Sequence, residues 1–156
     1  MRRPRPLRER RVRVRAAPGL CFQVVSSAGR TIERRSDTER VVEFETHARG
    51  KRVRTRELVR LDEPSRRIDY TWIEGPLPFV EETIAVQPLL DGSSELHYQG
   101  RYATGRGPIK CLLGKIFVRG AFDRAVREHL AEAKAVAERR AVRSKVFPPT
   151  RENPGT

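Results

Sequence analysis

The sequence predicts an α+β domain in which an antiparallel sheet, apolar on one face, is covered by one long C-terminal helix. Two observations carry this reading. Residues 107–142, "GPIKCLLGKIFVRGAFDRAVREHLAEAKAVAERRAV", run without a turn signal and have the length of a major helix. Before them, from Thr38 to about Thr104, apolar and polar residues alternate with the period of strands, so that one side of the sheet is wet and the other needs cover.

The elements follow in order. "ERRVRVRAA" alternates Val12 and Val14 with Arg11, Arg13 and Arg15, as a half-buried strand does. Pro18 then opens "PGLCFQVVSSAG", where a proline in the first turn and Gly29 after the last apolar residue bracket a short helix. Residues 30–37, "RTIERRSD", are polar and irregular, with room for one more helical turn at most. The turn signals "ARGK", "DEPS", "GPLP" and "DGSS" divide the next segment into five strands of a meander, six strands in all.

The phases of these strands are legible. Val42 and Phe44, then Val53, Val59 and Leu61, then Ile68, Tyr70 and Trp72, then Val80, Ile84 and Val86, then Leu96, Tyr98 and Tyr102 share one face. Glu43 and Glu45 fall on the other face, where a hairpin through "ARGK" sets them across from Arg52, Arg54 and Arg56. This arginine stripe therefore reads as one half of a cross-strand charge ladder, with a phosphate-binding surface as the alternative. In the long helix, Ile109, Leu112, Leu113, Ile116 and Phe117 form one stripe. Val118, Phe122, Ala125, Val126, Ala133, Val136 and Ala137 form another, rotated by nearly half a turn. Either the helix kinks or begins near Gly120, or its first part is buried on all sides.

Size and charge limit the function. A chain of 156 residues holds one core, and 37% apolar content with a mean hydropathy of −0.63 still permits folding. The net charge of +13 sits at the ends: +7 in residues 1–15 and +4 in residues 139–156, which leaves +2 for the body. The organisation expected is a basic disordered arm over 1–9, a folded domain over 10–142 and a basic, proline-containing tail over 143–156. Cys21 and Cys111, far apart in apolar surroundings, read as buried thiols of a reducing compartment, with a disulfide between them as the alternative. No apolar run is long enough for a membrane span, and "MRRPRPLRERR" lacks the core of a signal peptide, so the cytoplasm is the expected location. Phosphate-loop, nucleophile-elbow and HExxH patterns are missing, "GRGPIKCLLG" fails the dinucleotide fingerprint, and neither metal nor cofactor is expected.

Three ionisable groups fall in the apolar phase: Glu57, Glu82 and His129. A buried charge must find a partner, meet water in a cavity or shift its pKa. A carboxyl of Glu82 or Glu57 facing His129 across a pocket would meet that demand and make the three candidate general acids or bases. The alternative is a packed histidine and two glutamates that reach water at strand ends. Tyr70, Trp72, Tyr98 and Tyr102 are core or ligand platform on the same argument.

Three stretches, "VRVRAAPGLCFQVVSSAG", "TRELVRLDEPSRRIDYTWIEGP" and "GAFDRAVREHLAEAKAVAE", together span most of residues 11–140. In their order they resemble the START-like helix-grip (SRPBCC) superfamily, and within it the polyketide cyclase/dehydrase and lipid-transport-like proteins. The resemblance implies a helix-grip fold: a strongly curved antiparallel sheet wrapped around the long C-terminal helix, with one or two short helices after the first strand. Many members have seven strands where six are legible here. It also implies a cavity for lipids, polyketides or aromatic compounds, whose expected lining is Phe44, Glu57, Tyr70, Trp72, Glu82, Tyr98, Tyr102, Phe122 and His129. Three functions follow as expectations. They are binding or carriage of a hydrophobic small molecule, a cyclase or dehydratase using Glu82, Glu57 or His129, and an interaction protein whose basic termini grip RNA, ribosome or anionic membrane.

Overall fold

In the computed structural model, which describes residues 3–146, eight strands form one open antiparallel sheet with the chain's long helical segment on its apolar face. The elements are β1 (Arg5–Pro6), β2 (Arg10–Val14), α1 (Pro18–Ser26), β3 (Arg30–Arg34), β4 (Glu39–Ala48), β5 (Lys51–Asp62), β6 (Arg67–Glu74), β7 (Phe79–Pro88) and β8 (Ser94–Ala103). After these come α2 (Pro108–Phe117), a π-helical turn (Val118–Phe122) and α3 (Asp123–Val146). Strands β3 to β8 lie side by side in chain order, and β1 and β2 both pair with the outer edge of β8. This is the helix-grip architecture.

Local chemistry fixes the turns. Arg49 and Gly50 both take positive φ, 50° and 73°, the requirement of the tight hairpin turn that sets Ala48 opposite Lys51. That register places Glu43 across from Arg56 and Glu45 across from Arg54, with ion pairs at 3.7 and 3.5 Å, and Arg30 reaches Glu43 from the other side at 2.7 Å. The arginine stripe is thus half of a charge ladder. Gly29, at φ 78°, takes the chain out of α1 where a Cβ would lie 2.4 Å from Val42. Cys21, Phe22, Val24 and Val25 bury one side of α1, and no disulfide links Cys21 to Cys111.

The core lies between sheet and helix. Val14, Val25, Val42, Val59, Ile68, Val80, Leu96 and Leu130 are almost fully buried. Burial of each such side chain contributes about 1.5–3 kcal/mol, more than helix propensity supplies.

Three expectations change. The arm expected to be disordered over 1–9 is, from residue 3, laid along β8: Arg5 and Pro6 pair with Tyr102 and Arg101, and the Leu7 N–H donates to the Gly100 carbonyl at 2.9 Å. The cause is Leu7, which is buried beside Gly100; the strand that follows, β2, is held by Arg10 on Asp123, Arg11 on Glu95 and Arg13 on Asp91. Residues 30–34, expected to be irregular, form the edge strand β3, exposed along its whole length. One short helix, α1, follows the first strands. At the other end the expected tail begins as the last turn of α3, and from residue 147 it lies outside the described residues.

The third change concerns α2. Its apolar stripe is not surrounded by protein, since Ile109, Leu112, Leu113 and Ile116 are exposed. The inward side consists of Cys111, Gly114 and Val118, with Gly114 packed on Thr104 and Leu77. The kink expected near Gly120 is the π turn. One residue inserted in the hydrogen-bond ladder lets the inward side continue into Phe122, Leu130, Ala133 and Ala137.

Candidate ligand cavity

The sheet register builds the site from two neighbouring rungs. On one, Val42, Glu57 and Trp72 stand side by side on β4, β5 and β6; on the next are Val59, Tyr70 and Glu82 on β5, β6 and β7. Directly opposite residues share a face, so both carboxyls point inward, on either side of β6. Gly100 completes the second rung, and a Cβ there would crowd Glu82 and Leu7.

Between these rungs, the π turn and α3 lies a cavity of about 310 Å³, at the small end of the ordinary range for small-molecule sites of about 300–1,000 Å³. Phe44, Glu57, Tyr70, Trp72, Glu82, Tyr98, Phe122 and His129 all line it, as the inward phase predicts. Tyr102 does not. It continues the same phase but is buried farther along β8, opposite Arg5. Sequence reasoning missed Thr55, Phe117, Ala121 and Ala125, which also line the cavity. Thr55 shares the parity of Glu57 and was open to the same argument, whereas the alanines carry no signal beyond their helical face.

The aromatic lining forms two groups. The Phe44 ring meets Tyr70 and His129 edge-on, both at 6.1 Å between centroids. Trp72 meets Phe122 edge-on at 5.5 Å, and Phe117 lies 6.0 Å from Phe122. Glu45, Arg124, Glu128 and Glu132, exposed at one side of the lining, give the cavity a polar rim.

Two carboxyls share this interior, and they differ. Glu82 accepts from the Tyr98 hydroxyl at 2.7 Å and from the Trp72 indole N–H at 3.1 Å. Glu57 accepts from the Thr55 hydroxyl at 2.8 Å. Burial raises the pKa of Glu82, and the two donors oppose that rise. Burial raises Glu57 well above the usual carboxylate range, the charge of Glu82 pushes it further, and only Thr55 opposes. Glu57 is therefore the better proton holder and Glu82 the better carboxylate, the separation an acid–base pair requires.

Glu57, Glu82 and His129 line the same cavity, as expected, without direct contact between the imidazole and either carboxyl. Among the described residues no hydrogen bond joins His129 to Glu57 or Glu82, and its pKa falls through burial while Glu132 opposes the fall. The imidazole is a neutral ring packed against Phe44. The Tyr70 hydroxyl is buried without a hydrogen-bond partner among the described residues, and burial, then the charges of Glu57 and Glu82, raise its pKa. It is held as a donor beside the carboxyls.

Residues 11–138 match the family described as polyketide cyclase / dehydrase and lipid transport. The chain belongs to this family. No curated protein matches the sequence. Among solved structures, the Zhui aromatase/cyclase of a Streptomyces species superposes with a TM-score of 0.78 at 17% identity, over 88% of this chain and 96% of its own. A Thermus thermophilus protein gives 0.72 at 16% identity, over 84% and 95%. A START superfamily protein of Mycobacterium smegmatis gives 0.61 at 17% identity, over 89% and 99%. At these identities the likeness is one of fold. As a member of the polyketide cyclase / dehydrase and lipid transport family, the chain keeps the sheet around its helix and lines the cavity between them with its own side chains.

Proposed function

We propose that the chain binds a small, largely apolar molecule carrying a neutral oxygen function, such as a phenol, ketone or hydroxylated ring. The observation that carries this reading is the pairing of an aromatic cavity with inward donors: the unpartnered Tyr70 hydroxyl and the carboxyl of Glu57 in its acid form. The Glu82 carboxylate at the same wall opposes an anionic head, so free fatty acids fit less well than neutral oxygenated ligands. Family membership and the START-like and aromatase/cyclase neighbours support a hydrophobic ligand. Trp72 is the single tryptophan of the chain and lines the cavity, so its emission reads occupancy directly. A saturable change is expected with neutral phenols or polycyclic ketones, weakened about tenfold or more when Ala121→Phe fills the space. A flat response across such a panel would remove the reading.

The unequal carboxyls favour a second reading, an enzyme of cyclase or dehydratase type. Glu57 would protonate a departing or carbonyl oxygen while Glu82 takes a proton from the adjacent carbon. A bell-shaped rate profile that loses its acidic limb in Glu82→Gln supports this, and an unchanged profile removes it.

A further inference from the structure

Helix α2 turns its apolar stripe outward. Ile109, Leu112, Leu113 and Ile116 are 73%, 59%, 55% and 43% exposed, while the small residues Cys111 and Gly114 face the protein. At 3.6 residues per turn the four side chains fall within a sector of about 100°, and Lys110 and Lys115 stand about 60° beyond its two edges. Arg106 precedes the helix and Arg119 follows it, and between Thr104 and Phe122 there is no acidic residue. The result is a ten-residue helix with an apolar ridge and cations on both flanks.

We infer that this face docks on an anionic lipid surface, with α2 lying in the plane of the interface. The charge settles which occupant fits. A second copy seated face to face would bring four cations against four others, a repulsion that nothing acidic in the segment offsets. Anionic headgroups complement them, and long basic side chains flanking an apolar ridge reach headgroups while the ridge enters the acyl boundary. No helix among the described residues is long and apolar enough to cross a membrane, so α2 lies on the surface. Phe117, next in the chain after Ile116, lines the cavity. The docked helix and the cavity wall are therefore continuous, which places an apolar ligand's exit beside lipid.

Flotation of the full chain with phosphatidylcholine vesicles, with and without about one-third phosphatidylglycerol, tests the inference. Binding is expected only with the anionic lipid, falling as salt rises. Leu112→Ser/Leu113→Ser lowers partitioning by about tenfold or more. Lys110→Glu/Lys115→Glu does the same and flattens the salt dependence. The thermal midpoint and Trp72 ligand titration of the serine variant stay at wild-type values, which separates loss of docking from loss of the cavity. Failure to float with anionic vesicles, or equal flotation of both variants, overturns the inference. So does a dimer in sedimentation that the serine variant abolishes without any vesicle binding, which would give the face to a second copy.

Discussion

Glu57 and Glu82 stand on adjacent rungs of the sheet, one on each side of β6, and the charge of Glu82 helps hold the proton on Glu57. This arrangement has a stability cost with a definite sign. The folded chain binds the Glu57 proton more tightly than the unfolded chain, so stability is greatest below the ordinary glutamate pKa of about 4.3 and declines as pH rises toward the folded value. Glu57→Gln, which mimics the acid form, should raise the thermal midpoint at pH 8 by about 2 °C or more and leave it unchanged near pH 4. Calorimetry across that range checks the prediction.

Tyr98 and Trp72 hold the charged form of Glu82. Tyr98→Phe removes one donor, so the Glu82 titration should move upward and stability should fall by about 1 kcal/mol. Carbon-13 NMR of the glutamate side chains reads the midpoint; a downward shift would reverse the assigned role of the phenol.

Asp123 receives Arg10 through contacts of 2.7 and 2.9 Å and sits where the π turn passes into α3, so the ion pair ties β2 to the helical segment. Both side chains are about four-fifths covered. Asp123→Ala should cost about 1–2 kcal/mol in urea unfolding, and the double variant with Arg10→Ala should lose less than the sum of the single changes.

Gly100 has no room for a side chain, because a Cβ would lie 2.8 Å from the Glu81 carbonyl oxygen and 2.8 Å from Leu7. Gly100→Ala should destabilise by about 1–3 kcal/mol and raise hydrogen exchange at the Leu7 amide, as β1 lifts from β8.

What was legible in the sequence follows from which residues must show a pattern. The inward phase of β4 to β8 could be read because each strand has one wet face, and it was enough to place Glu57, Glu82 and the aromatic residues at one wall. Strand β3 was hidden because an edge strand exposed on both sides carries no alternation, and its pairing with β4 leaves no mark in its own residues. Tyr102 shows the limit of phase: it fixes the face but not the position along the strand. For α2 the pattern misled. Burial there is carried by Cys111 and Gly114, which let the helix approach Leu77 and Thr104 closely, while the large apolar residues face away. His129 was correctly placed inside, yet its neighbour Phe44 left it a packing role.

The π turn at Val118–Phe122 sets the phase of the helical segment ahead of it independently of the segment behind it. A single deletion within it would restore an unbroken ladder and rotate everything upstream by roughly a quarter turn, burying lysine and surfacing glycine. Related chains that lack the extra residue should therefore carry a differently ordered set of amino acids ahead of the turn, while the sequence behind it is free to stay the same.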